Sequence, residues 1–166
     1  MLGVFSFTCC AGCEFSILFL DSIIDILTKF DVQHFHLIKE KNREAKFDLA
    51  VVEGAITTKR EIEKLKRIRR DSKFVLAIGA CANTGGIPQL KNVPGKKEKR
   101  KYVYSQAMLK DSIDPQPISK FIKVDYGLQG CPIVKKQFEK FAKEYLKKYS
   151  PTSRVSSTKR TGGRRW

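Results

Sequence analysis

Histidine is nearly absent from this chain, with two in 166 residues, and a second close cysteine pair is missing altogether. The five cysteines are Cys9, Cys10, Cys13, Cys81 and Cys131, and only the first three lie close together. A structural zinc ribbon, which takes its ligands from two nearby pairs, is therefore disfavoured. Long apolar runs are also lacking: the best stretch, Phe15 to Leu27, is interrupted by Asp21 and Asp25 and falls short of the roughly 20 residues a bilayer requires. No Lys-Ser or Lys-Thr follows Gly85-Gly86, so no phosphate-binding P-loop is completed there. Acidic residues are scarce, 17 against 33 Lys and Arg for a net charge of +16, which invites an anionic partner. With 42% hydrophobic residues the chain has the material for about one domain with its own core.

Periodicity predicts alternating strands and helices. Val4 to Phe7, Phe47 to Val52, Phe74 to Ala80 and Phe121 to Val124 are short apolar runs of the kind that a sheet buried on both faces requires, and Val32 to Ile38 alternates weakly as another strand. Phe15 to Phe30 has helical spacing and predicts one buried helix, with most of its apolar residues in the core. Lys59 to about Asp71 predicts an amphipathic helix, capped by Thr57 or Thr58. A last helix is expected to open at Pro132, in its first position, and to bury Val134, Phe138, Phe141, Ala142, Tyr145 and Leu146. Residues 92–104 read as a solvated basic loop and 149–166 as a basic flexible tail, leaving residues 1–148 as the folded domain. His34 and His36 share one strand face and are expected to pack or face solvent rather than bind metal.

The chemistry concentrates in Cys10-Ala-Gly-Cys13. Such a pair admits a redox dithiol, half of a zinc site or half of an iron–sulfur ligand set. Cys81 and Cys131 weigh on the choice, because each stands beside glycine after a predicted strand, in Gly79-Ala80-Cys81 and Gly130-Cys131-Pro132. Parallel strands would bring all of these thiols to the carboxyl edge of one sheet, where open α/β folds place their ligands. Four converging thiolates favour a cubane iron–sulfur cluster over a dithiol. Gly85 and Gly86 would let the backbone approach such a cluster. Glu14 and Glu53 are candidates for hydrogen bonding or proton handling beside it. Their packing alternatives are a helix's first turn for Glu14 and orientation of the following loop for Glu53.

Cys10-Ala-Gly-Cys13, Val52-Glu53-Gly54-Ala55-Ile56, Gly79-Ala80-Cys81 with Gly85-Gly86-Ile87-Pro88, and Gly130-Cys131-Pro132, taken in that order, resemble the small subunit of nickel–iron hydrogenases. The likeness spans about residues 3 to 148 and is greatest to the short cytosolic forms of sulfhydrogenases and of deazaflavin-, viologen- or NAD-reducing enzymes; the 20 kDa subunit of complex I is a relative. The resemblance implies a flavodoxin-like three-layer α/β sandwich with a mainly parallel sheet. It implies one proximal 4Fe–4S cluster held by Cys10, Cys13, Cys81 and Cys131, which relays electrons for a separate nickel–iron large subunit. Because no cysteine follows Cys131, it implies no C-terminal cluster domain, and a further iron–sulfur or flavin subunit would take the electrons onward. Exported family members carry a twin-arginine leader; only eight residues precede Cys9, so a cytoplasmic location is expected. Complex I subunits ligate through a tandem cysteine pair, which makes Cys9 the alternative ligand and a quinone-linked module the alternative function. The basic loop and tail would meet an acidic partner or an anionic membrane surface. A nucleic-acid-binding protein with a structural metal is the other alternative, disfavoured because it leaves the four ordered motifs unexplained.

Overall fold

The computed structural model describes residues 1–43, 45–95, 99, 102 and 110–149. Five strands, β1 (Leu2–Ser6), β2 (Val32–Phe35), β3 (Phe47–Glu53), β5 (Ser72–Ile78) and β7 (Tyr126–Leu128), form one sheet in the order β2-β1-β3-β5-β7. Every pairing in it is parallel. The remaining two, β4 (Ile56–Thr58) and β6 (Ser112–Gln116), pair antiparallel as a separate two-stranded sheet.

Alternation along the central strands divides the interior into two layers. Leu49 and Val51 of β3, with Val4, Leu76, Ile78 and Leu128, pack against α1 (Gly12–Leu18), α2 (Ile23–Leu27) and the last helix, α5 (Lys135–Tyr149), through Ile17, Ile26, Phe138, Ala142 and Tyr145. Ala50 and Val52, with Phe5, Val75 and Ala77, turn the other way onto Leu65 and Ile68 of α3 (Lys59–Arg70), Ile56 of β4, Ala82 of α4 (Gly79–Thr84) and Ile118. Covering both faces is what a parallel sheet needs, and the result is the expected three-layer α/β sandwich. β1 has β2 on one side and β3 on the other, so the topological switch point lies between β1 and β3.

Several local expectations are corrected. The predicted helix from Phe15 is two short helices: Leu20 turns into the core and Ser22 Oγ donates to Glu139 of α5 at 3.0 Å, while Phe19 and Ile24 stay outside, 68% and 71% exposed. β2 ends at Phe35, where the backbone amides of Ile38 and Lys39 turn back onto the Phe35 carbonyl. Phe121 to Val124 is no strand; Phe121, Ile122 and Val124 pack sideways against the second core layer, and pairing with β5 begins only at Tyr126. Pro132 does not open the last helix: it follows a cis peptide bond and α5 starts at Lys135, with Val134 exposed rather than buried. The cap of α3 is Thr58, which accepts from Glu61 N–H while the Glu61 carboxylate accepts from Thr58 N–H, a complete capping box. Most of the basic loop after Gly95, and residues 150–166 of the tail, lie outside the described residues. Among the described residues no helix is long and apolar enough to cross a membrane.

Candidate functional site at the carboxyl edge of the sheet

Three strand ends deliver the cysteines. β1 continues through Phe7, whose N–H reaches the Glu53 carbonyl at 2.9 Å, and through a bridge between Thr8 and Ala55, so Cys9 and Cys10 emerge at the switch point. The chain then turns through Ala11, in the left-handed region at φ 60°, into α1, which carries Cys13 and Glu14 in its first turn. β5 runs directly into α4 with Cys81, and β7 leads through Gly130 to Cys131. Cys10 and Cys131 are exposed, Cys9 and Cys81 half-buried, and Cys13 buried.

Glycines pack these segments tightly. A Cβ on Gly79, which has φ +79°, would stand 2.4 Å from the Cys13 sulfur, and one on Gly86, at φ +50°, would stand 2.9 Å from the Cys81 sulfur. Cys10 Sγ and Pro132 both lie within 4.0 Å of the Cβ that Gly12 lacks, which draws the first motif toward the Cys131 loop. Gly85 also has positive φ and faces Gln89 instead of a thiol. One backbone amide donates to a sulfur with a measured distance: Ala11 N–H to Cys9 Sγ, 3.4 Å. Burial pushes the Cys9 and Cys13 thiols up to about 12, with smaller contributions from Glu53 and Cys81. Burial raises the Cys81 thiol too, followed by the charges of Cys131 and Cys10.

Two carboxylates lie beneath this rim, Glu14 and Glu53, 0% and 2% exposed. Glu53 accepts from the backbone N–H of Cys13 at 3.2 Å and of Glu14 at 2.9 Å. It therefore caps the amino end of α1, satisfying two of the helix's free N–H groups. Glu14 accepts from Ser6 Oγ with one oxygen, while the other has no hydrogen-bond partner and faces His36 Nε2 at 3.8 Å. Burial, with Glu53 nearby, raises the Glu14 carboxyl above the usual carboxylate range, against the Ser6 hydrogen bond and His36, which lower it. Ser6 and His36 are members of this group that sequence reasoning misses; the parallel pairing of β1 with β2 is the signal that joins them. His34 instead stacks on Phe5 at 4.3 Å.

Among the described residues, no three His, Cys, Asp or Glu side chains are gathered about a single point as one metal ion would require.

A parallel α/β sandwich with thiols from three strand ends along the carboxyl edge of its sheet is the architecture of a ligand-holding α/β domain of the doubly wound class. Comparison with known proteins gives the family: residues 10–145 match the model described as "NADH ubiquinone oxidoreductase, 20 Kd subunit", and the chain belongs to that family. Its relatives include hydrogenase subunits. Sulfhydrogenase 2 subunit delta of Pyrococcus furiosus is 33% identical over 138 residues, covering 82% of this chain and 57% of the relative. A vhu subunit of the F420-non-reducing hydrogenase of Methanocaldococcus jannaschii is 34% identical, covering 79% of this chain and 50% of the relative. The chain thus spans about half the length of these curated relatives. In fold it is similar to a chain of an NAD+-reducing [NiFe]-hydrogenase in the H2-reduced state, with a TM-score of 0.76 at 22% identity over 93% of this chain and 94% of the other.

Proposed function

We propose that this chain is the electron-transfer small subunit of a cytoplasmic nickel–iron hydrogenase, holding one 4Fe–4S cluster on Cys10, Cys13, Cys81 and Cys131. The observation that carries the reading is the set of thiols drawn from three strand ends at the carboxyl edge of the sheet, with Gly79 and Gly86 packed against the Cys13 and Cys81 sulfurs. Its fit to a bulky group rests on the glycines: positions 12, 79 and 86 carry no Cβ beside the Cys10, Cys13 and Cys81 sulfurs, which leaves room there.

Such a cluster, when bound, supplies one-electron transfer between the partner's hydrogen-activating site and a further iron–sulfur or flavin carrier. The chain's own residues do the rest. To hold the cluster, the four thiols would have to be deprotonated, and burial, which raises Cys13 and Cys81, would make that release depend on the metal. Glu53 holds α1 so that Cys13 keeps its place. Glu14, with Ser6 and His36, forms a short buried-to-surface path on which a proton can be held near the rim. The basic surface would dock an acidic partner or an anionic membrane face.

The test is iron and sulfide content of the anaerobically purified full chain, with electron paramagnetic resonance before and after reduction. About four irons and four sulfides per chain with a reduced cubane signal are expected. Serine at Cys10, Cys13, Cys81 or Cys131 should abolish it, and Cys9→Ser should retain it. Loss at Cys9 with retention at Cys13 would instead identify the tandem ligand set of a quinone-linked module. Zinc without sulfide would overturn both.

A further inference from the structure

Asn83 lies two residues after Cys81, and its side chain points away from the rim into the junction between β5, α4 and β7. Its amide nitrogen is 2.9 Å from the Gly79 carbonyl, 3.0 Å from the Leu128 carbonyl and 3.4 Å from the Ala77 carbonyl. An amide has two hydrogens, so the two shorter contacts are its bonds and the third is a weak, shared one. One bond closes on its own helix and the other crosses to the last residue of β7.

That crossing comes where the sheet gives out. β7 is a three-residue edge strand, and its register with β5 ends at the pair Ile78 and Leu128. Beyond it the two chains separate, one toward Cys81 and the other toward Cys131. They are joined there by the Asn83 amide and by Ala80 N–H donating to the Gly130 carbonyl at 2.7 Å. Gly127 is fitted to the arrangement: a Cβ there would stand 2.3 Å from the Asn83 side-chain oxygen. The glycine leaves room for the amide on the flank of the edge strand.

We propose that Asn83, seated against Gly127, is a positioning residue that sets the separation of Cys81 and Cys131. This deepens the reading of those two cysteines as members of one ligand set and rests on it. Asn83 touches neither thiol; it acts by fixing the two backbones that carry them.

The experiment uses the full chain in two states. In the reduced, metal-free chain, a bifunctional thiol reagent bridges Cys81 to Cys131, and peptide mapping follows the rate. Asn83→Ala is expected to slow that bridging by about tenfold, in the range of effects that outer-shell partners have on metal sites, while circular dichroism stays native. Gly127→Ala, which keeps the amide but displaces it, should slow bridging in the same way, and it carries the test if Asn83→Ala fails to fold. In the reconstituted chain, both variants should lose iron about tenfold faster and show an altered resonance line shape. Wild-type bridging rates and line shape in both variants would overturn the proposal. If bridging depends on Asn83 in a chain that takes up no cluster, the positioning role stands and the electron-transfer reading falls. If the cluster assembles and both variants behave as wild type, the electron-transfer reading stands and the positioning role falls.

Discussion

At the amino end of the central sheet, charges are matched near the surface. The Met1 ammonium and Lys73 share the Asp48 carboxylate at 2.5 and 2.7 Å, and Tyr145 OH donates to the Asp48 carbonyl at 2.9 Å. Arg69 pairs with Asp125 and also donates to the carbonyls of Ser72, Lys73 and Lys123, while Asp125 accepts from Val75 N–H at 2.8 Å. At the carboxyl end the materials are different: five thiols that range from exposed to buried, two buried carboxylates with one unsatisfied oxygen, and backbone in the left-handed region at Ala11, Gly79, Gly85 and Gly86. The same strands run through both ends, so fold alone does not demand the costly one. Local rules are broken at the edge that carries the thiols, and the regular end supplies the stability that tolerates it.

The largest effect expected from this contrast is at Gly79. Alanine there would take on both a φ of +79° and a Cβ 2.4 Å from the Cys13 sulfur, costing about 3 kcal/mol by urea denaturation of the metal-free chain. A cost under about 1 kcal/mol would mean the turn relaxes freely and is not constrained. Next is the amino end. Arg69→Ala leaves the part-buried Asp125 carboxylate without its cation and removes one donor from each of three carbonyls, for a loss of about 2 kcal/mol in the same measurement. No change would show that water replaces the guanidinium and that this end is less organised than its hydrogen bonds imply.

Glu14 should respond in the opposite direction. Its carboxyl is fully buried beside Glu53, and one oxygen has no hydrogen-bond partner. Glu14→Gln removes a buried charge while keeping the shape and the Ser6 contact, so the metal-free chain should be unchanged or more stable by up to about 1 kcal/mol. Glu14→Ala, which leaves a void and strands Ser6, should be less stable by about 2 kcal/mol. Thermal melts of the two variants separate these effects. A Gln variant as damaged as the Ala variant would place Glu14 among the stabilising groups and erase its difference from the amino end.

How far the sequence shows this division depends on the range of the signals. The thiols at strand ends were legible because Phe74 to Ile78 and the β1 run are apolar on both faces, which only a covered parallel strand explains. The last strand was misplaced because Phe121, Ile122 and Val124 are more apolar than Tyr126 to Leu128, yet the former pack into a side layer while the latter form an exposed edge. A capping box is local and readable, as at Thr58 and Glu61. Glu53 capping α1 joins positions about 40 residues apart and carries no local mark, as is also true of Ser22 with Glu139 and of Asn83 with Leu128.

The smallest expected effect tests the surface character of the amino end. Hydrogen bonds from Lys73 and then from the chain's amino terminus hold the Asp48 carboxyl below its ordinary value. A depressed carboxyl contributes stability above its unfolded pKa of about 4 and loses it as pH falls through the lower, folded value. The pair is open to solvent, with Asp48 43% and Lys73 81% exposed, so screening limits the contribution to under about 1 kcal/mol. Asp48→Asn should therefore cost that small amount at pH 7, less in high salt, and nothing once the pH is low enough to protonate the wild-type carboxyl. Denaturant midpoints of both proteins across the acid range measure the difference. A deficit that persists at low pH would mean that Asp48 acts through its geometry rather than its charge. The amino end would then share the sensitivity to shape that distinguishes the thiol-bearing edge.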